Sequence, residues 1–357
     1  MKPSKLMPGD TVAIVSLSSG MLGEIYVAHE LSIALKRLLG YGFKVKLMPN
    51  ALKGVKYLDA HPEKRAQDLL AAFNDTDVKA IICAIGGIDT YRLAPFLFEN
   101  GELEADVRSN PKIFIGFSDT TVNHLMLHKC GLNTFYGQAL IPDLAELDDE
   151  MLPYTKNYFE QLFIQGCISK ITPSGIWYDE RKTFSLEAVG TKRTEHIDNV
   201  GFELLGGDGV FSGRILGGCV ETLSDMLTGS VSYQDEKEIV EKYGLFPDLN
   251  DWKGRILLLE TSEEQLEPSE LEKMLRVLES YGLFDVVSGV IIGKPMDELY
   301  YDEYKRLYID IIVRKGLSVL YNVNVGHATP RCIIPFGVTA TVNADEGVIR
   351  IDEDILI

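Results

Sequence analysis

The sequence predicts an α/β protein with a parallel sheet in its first part and a smaller α+β part behind it. Three observations carry this. Short apolar runs alternate with helical stretches as far as Cys130, the pattern of strands joined by crossover helices. With 357 residues, 46% of them apolar and 25% charged, the chain is long enough for two ordered domains. The alternation lapses between Asp148 and Gly213 and resumes near Arg214.

Taken in order, Thr11 to Leu17 reads as a buried strand, followed by Ser18-Ser19-Gly20 and a helix from Glu24 to Leu39 closed by Gly40 and Gly42. Phe43 to Met48 alternates as a strand, and Pro62 opens a helix carrying Ala66, Leu69, Leu70 and Phe73. Val78 to Ile85 is a strand ending in Gly86-Gly87; a short helix over Tyr91–Phe98 precedes a strand over Lys112–Ile115. Ligands of such sheets sit at the carboxyl ends of the strands, where three loops fall: Ser18-Ser19-Gly20, Ile85-Gly86-Gly87 and Gly116-Phe117-Ser118-Asp119. Residues 172–208 are polar and Gly-rich with no sustained period, the mark of a linker or lid. Beyond Arg214 the pattern predicts a strand over Gly254–Leu259, a helix from Pro268 to Gly282 with Leu271, Met274, Leu275 and Leu278 on one face, strands over Val286–Ile292 and Ser318–Val325, and two strands after Arg331. The divisions are 1–165, 166–212 as linker or active-site loop, and 213–357.

Charge narrows the partners. Lys plus Arg is 35 against 53 Asp plus Glu, a net of −18, so the long-range field repels a phosphate backbone and no nucleic-acid partner is expected. Five scattered cysteines, none in a C-x-x-C pair, fit reduced thiols and neither a disulfide framework nor a zinc site. No stretch approaches the roughly 20 apolar residues of a membrane span, and the start lacks an apolar h-region. A cytoplasmic protein with no membrane partner is expected.

Ser118 is the most informative residue. It follows a buried strand on a tight turn into a helix, which lifts its hydroxyl above the sheet and sets it among helix N-terminal N–H groups able to hold an oxyanion. A plain helix cap is the bland alternative, and Thr120 stands where G-x-S-x-G has its second glycine. A nucleophilic serine needs a base. Of six histidines, His29 and His61 lie outside the three loops, and His196 lies in the lid-like segment. His124 and His128 have metal-ligand spacing on the helix after Ser118, with no third ligand apparent. His327, after Gly326 at a strand end, is placed to face a cleft. Glu260, ending a strand behind three leucines, is a partly buried carboxylate suited to orient an imidazole; Glu263, Glu264 and Glu267 follow, so a solvated acidic loop is the alternative. Gly86 and Gly87 let a substrate approach the main chain, without the remaining parts of a dinucleotide or P-loop fingerprint.

These segments together resemble the LD-carboxypeptidase family of serine peptidases, which includes the microcin C immunity proteins. The resemblance runs from Lys5-Leu-Met-Pro-Gly-Asp-Thr-Val-Ala-Ile-Val-Ser through Ile85-Gly-Gly87, Arg92-Leu-Ala-Pro95, Gly116-Phe-Ser-Asp-Thr120, Leu216-Gly-Gly218, Leu257-Leu-Leu-Glu260 and Val290-Ile-Ile-Gly293 to Gly326-His327 and Ile334-Pro-Phe-Gly337. It implies a flavodoxin-like (class I glutamine amidotransferase-like) first domain, a β-rich second domain and a homodimer without metal or cofactor. It also implies Ser118 as nucleophile, His327 as base, Glu260 as its orienting group, and the N–H groups of Gly87 and Asp119 as oxyanion donors. Two small-molecule substrate classes compete: murein tetrapeptides losing D-alanine, and an aspartyl or glutamyl group joined to an adenylate-like nucleotide. The Ile-Gly-Gly loop and segment 165–210 resemble the immunity branch, with Trp177 like the aromatic that stacks on the base and Gly86 beside the substrate. Cys219 stands where the family has a substrate-binding Asn. A non-catalytic nucleotide or peptide sensor using the same cleft is the alternative of another class.

Overall fold

The computed structural model describes residues 1–230 and 234–357. In the first sheet, β1 (Thr11–Val15), β2 (Lys44–Leu47), β3 (Val78–Cys83), β4 (Ile113–Gly116) and β5 (Phe135–Tyr136) run parallel in the order β5-β4-β3-β1-β2. Helices Ala28–Gly40, Pro62–Asn74 and Thr121–Lys129 are among the crossovers. The central strands are mostly apolar because a parallel sheet is covered on both faces; Val12 to Val15 and Ile81 to Cys83 are fully buried. Short helices over Val55–Ala60 and Glu102–Ser109 add to the predicted pattern.

Segment 166–212 is not the structureless loop its composition suggests. It contains β6 (Lys170–Ile171), the hairpin of β7 (Ile176–Tyr178) with β8 (Glu195–Ile197), and β9 (Glu203–Gly206). Its short strands find partners far along the chain: β6 pairs with β16 (Val348–Ile351), and β9 with β13 (Val319–Val323). The second sheet also contains β10 (Val210–Cys219), β11 (Ile256–Glu260), β12 (Gly289–Gly293) and β15 (Thr339–Asn343), in the order β6-β16-β15-β10-β11-β12-β13-β9. Its centre, β10 to β13, is parallel. The helix Pro268–Tyr281 buries Leu271, Leu275 and Leu278, as its periodicity predicts, and stops at Gly282 in the left-handed region.

Three strands follow Arg331 where the sequence pattern predicts two, and the first leaves its sheet. β14 (Ile334–Pro335) pairs with β5, so the end of the chain is stitched to the first sheet. The two sheets therefore meet where β4 and β5 on one side and the loop ahead of β14 on the other bring distant residues together.

Candidate active site

The loops at the carboxyl ends of β1, β3 and β4 converge. Ser19 N–H donates to the Gly86 carbonyl at 3.1 Å, and the Asp119 carboxylate accepts from the Ser18 hydroxyl and, at 2.9 Å, from Thr90 N–H. Below them Arg65, fully buried, binds Asp89 with two bonds of 2.6 and 2.9 Å and donates to the carbonyls of Leu17 and Ser18. A guanidinium fork of this kind fixes two loops relative to one another. Burial pushes the Asp119 carboxyl up to about 6.

Ser118 stands on this platform with φ +66°, a left-handed conformation that is strained for a residue with a side chain. It begins a tight turn, Ser118–Thr120, that runs into the helix Thr121–Lys129. The close neighbour is Gly86: a Cβ there would lie 2.6 Å from Ser118 Cβ and 2.7 Å from its Oγ. Only glycine leaves room for the hydroxyl. The N-cap positions of the turn and of the helix are Phe117 and Thr120, not Ser118, and neither makes a side-chain cap bond.

The second sheet supplies the other groups. Glu260 ends β11, 1% exposed, and accepts on Oε2 from His327 Nδ1 at 2.7 Å and from His327 N–H at 3.2 Å. Gly326 is required just before the imidazole: its φ is +86°, and a Cβ would collide with the Glu260 carboxylate. The Phe117 ring, next to Ser118, packs edge-on against the imidazole with centroids 5.0 Å apart, and the Arg331 guanidinium covers that ring at 4.8 Å. Tyr136 joins the lobes. Its buried hydroxyl donates to Glu260 Oε1 at 2.6 Å and accepts from Ser118 N–H at 3.2 Å. Burial and the adjacent Glu260 charge push that phenol well above its ordinary value.

The other imidazole nitrogen, Nε2, lies 2.9 Å from Glu263 Oε2. Burial works against a charged ring, but Glu260 and Glu263 outweigh it and raise the imidazole to about 10, while the bond to His327 holds Glu263 down at about 2. In this arrangement the ring is an imidazolium between two carboxylates.

A cavity of about 270 Å³ opens on Ser118 and is bordered by Gly87, Asp119 and Cys219. Cys219 is register partner to Glu260; its N–H donates to Thr121 Oγ1 at 3.1 Å and its thiol to Glu221 Oε2 at 3.1 Å. Burial and two neighbouring carboxylates push the thiol well above its usual range, which suits a neutral wall and not a nucleophile.

Other sequence candidates are engaged elsewhere. His124 is a core residue bonded to Thr134 Oγ1 and the Gly116 carbonyl, driven down to about 4 by burial, and His128 pairs with Asp251 at 2.7 Å. Trp177 does not border the cavity. It stacks on His196 across the hairpin at 4.0 Å, with Lys294 Nζ 5.5 Å from the ring, and Tyr178 N–H ties the hairpin to the Thr329 carbonyl, two residues from His327. Sequence reasoning missed Tyr136, Arg65 and Asp89; nothing local marks Tyr136, and Arg65 looks like an ordinary polar helix residue.

An alcohol, an imidazole and a carboxylate thus stand at the seam of a two-lobed α/β protein, an arrangement suited to acyl transfer. The family domain described as LD-carboxypeptidase N-terminal domain matches residues 12–137, and the LD-carboxypeptidase C-terminal domain matches residues 212–342. The chain belongs to the LD-carboxypeptidase family. It is 29% identical to a Bacillus subtilis protein named probable murein peptide carboxypeptidase, over 97% of this chain and 92% of that one. It is 28% identical to the Escherichia coli microcin C7 self-immunity protein MccF, over 98% and 95%. A crystal structure of an MccF-like protein from Streptococcus pneumoniae in complex with AMP superposes with a TM-score of 0.94 and 52% identity, covering 96% of this chain and 99% of that one. Among the described residues no helix is long and apolar enough to cross a membrane.

Proposed function

We propose that the chain is a serine hydrolase that splits an aminoacyl group from an adenylate-like nucleotide through an acyl-enzyme. Ser118 Oγ attacks the acyl carbon, and its proton passes to His327 Nε2 and on to the leaving nitrogen as the acyl–nitrogen bond breaks. Water then adds to the acyl-enzyme, giving a proton to His327; the acid departs as Ser118 takes that proton back. Glu260 holds the ring by Nδ1 and offsets its charge while it is protonated, and the N–H groups of Gly87 and Asp119 receive the oxyanion. The observation that carries this reading is the 2.7 Å Glu260–His327 bond beside a serine held at positive φ. The nucleotide half draws support from the 52% identical MccF-like protein in complex with AMP.

Release of D-alanine from murein tetrapeptides is the second reading, favoured by the Bacillus subtilis relative. One experiment separates them: hydrolysis of an aminoacyl sulfamoyl-adenosine and of a murein tetrapeptide, side by side, by the unmodified chain and by Ser118→Ala. The first substrate should be cleaved, and Ser118→Ala should abolish turnover with an unchanged melting temperature. Full activity in that variant overturns the mechanism; D-alanine release alone overturns the substrate.

A further inference from the structure

Arg331 lies where the two lobes meet and is 3% exposed. Its guanidinium reaches three places at once. Nη1 binds Asp143 Oδ1 at 3.1 Å, Nη2 donates to the His327 carbonyl at 3.0 Å and to Thr329 Oγ1 at 3.2 Å, and Cζ lies 4.8 Å from the centroid of the Phe117 ring. Asp143, itself buried, belongs to the first lobe. It sits in the turn Leu140–Leu144 after β5, where its Oδ2 accepts from Ala139 N–H at 2.9 Å. The same turn is tied to the glycine loop: Ile141 N–H donates at 2.9 Å to the carbonyl of Ala84, just ahead of Ile85-Gly86-Gly87. The Arg331 main chain is held as well, its N–H donating to Thr155 Oγ1 and its carbonyl accepting from Gln138 Nε2, both at 3.2 Å.

A buried ion pair adds little stability by itself, because taking two charges out of water offsets most of their attraction. What a guanidinium brings here is shape: a flat, forked donor with fixed angles between its bonds, which neither an apolar side chain nor an ammonium has. One arm grips the first lobe at Asp143 and the other holds the main chain of His327. The face lies over Phe117, the residue before Ser118, whose ring meets the imidazole at 5.0 Å between centroids. Ser118 and His327 come from different lobes, so their spacing depends on groups that cross the seam. Tyr136 crosses it at Glu260; Arg331 crosses it at His327 itself.

We propose that Arg331 is a positioning residue for acyl transfer: anchored on Asp143, it sets the His327 main chain, and with it the imidazole, against Ser118. This rests on the acyl-transfer reading for its use, but one of its two readouts needs no substrate. Arg331→Lys keeps the positive charge that acts on Asp143 and Glu263 and removes the fork. Asp143→Asn keeps the fork and removes the charge of its anchor, and it carries both readouts should Arg331→Lys fail to fold. kcat and KM are measured with an aminoacyl sulfamoyl-adenosine, and the His327 Nδ1 proton is followed by NMR in the substrate-free proteins. Arg331→Lys should lower kcat about tenfold or more while KM changes by less than about twofold. Asp143→Asn should act in the same direction by about threefold or more. In both, the Nδ1 proton should move upfield as its bond to Glu260 slackens. A lower melting temperature with kcat and the Nδ1 proton unmoved overturns the proposal and leaves a structural ion pair, as does a fall in kcat with that proton unmoved. If the unmodified chain hydrolyses neither this compound nor a murein tetrapeptide, the hydrolase reading fails. A displaced Nδ1 proton then still supports the placement of His327 by Arg331, and an unmoved one overturns that too.

Discussion

Glu263 Oε2 and His327 Nε2 are 2.9 Å apart, on the edge of the ring opposite Glu260. The atom that a general base needs free is therefore occupied by a carboxylate whose own side chain is 64% exposed. For His327 to act as a base, a substrate bound at Ser118 would have to displace Glu263 from that edge of the ring. The sign of its effect follows directly. A base works in its neutral form, and two carboxylates raise the ring to about 10, so the neutral fraction near pH 7 is small. Glu263→Gln removes one of the two charges and lowers the ring's pKa. The acid limb of kcat/KM, which reports the free enzyme, should move down by about one pH unit or more, while that of kcat moves less because substrate has displaced Glu263 in either protein. An acid limb of kcat/KM that stays in place would show that Glu263 does not hold the ring.

Tyr136 links the lobes through two bonds, one to Ser118 N–H and one to Glu260 Oε1. Tyr136→Phe keeps the ring and its stacking on Phe336, 5.2 Å between centroids, and deletes only the hydroxyl. Glu260 Oε1 would then be a buried acceptor without its donor, a loss of roughly 1–3 kcal/mol in stability. Because Glu260 orients His327, kcat should fall more than KM changes, by about ten- to a hundredfold, with a displaced pH profile. A melting-temperature loss with an unaltered kcat and pH profile would reduce Tyr136 to a packing residue.

These two residues mark where sequence reading stops. Strands β1, β3 and β4 are legible because burial on both faces leaves apolar runs that end near glycine. Ser118 and Gly326-His327 are legible because each ends such a run. The Pro268–Tyr281 helix is legible from its spacing alone. Tyr136 is not, since its partner Glu260 is 124 positions away and a two-residue strand has no periodicity. Arg65 hides for a related reason: inside a mixed polar helix it resembles surface, and only tertiary structure brings Asp89 to it. The strands of segment 166–212 are two to four residues long and half-exposed, so their order comes from distant partners and not from local pattern. Glu263 is read as solvated, and its side chain is 64% exposed, yet its Oε2 meets His327 Nε2 at 2.9 Å.

Gly86 tests the crowding around the serine. A methyl at this position would meet Ser118 Cβ and Oγ and come within 3.3 Å of Asp119 N, atoms fixed by the strained turn. Gly86→Ala should lower kcat by about a hundredfold or more, because a displacement of the attacking group by about 1 Å is costly in rate. Circular dichroism should remain that of the parent. Near-normal turnover would mean that the turn yields and that its geometry is not tightly held.

The burial of Glu236 has a consequence for folding that needs no substrate. Glu236 is raised to about 8 chiefly by burial, so between its ordinary value near 4.5 and about 8 the folded chain retains a proton that the unfolded chain has released. The unfolded state then binds fewer protons, and stability must fall as pH rises through that window. Asp225, raised to about 6, adds the same sign over the lower part of it. Glu236→Gln cannot ionise, so its stability lacks this component. Measured by urea unfolding, the parent should lose stability relative to Glu236→Gln from pH 4.5 to 8, and the difference should level off above that. A difference that is flat across the window, or one that grows in the parent's favour, would mean that Glu236 is already ionised in the folded chain.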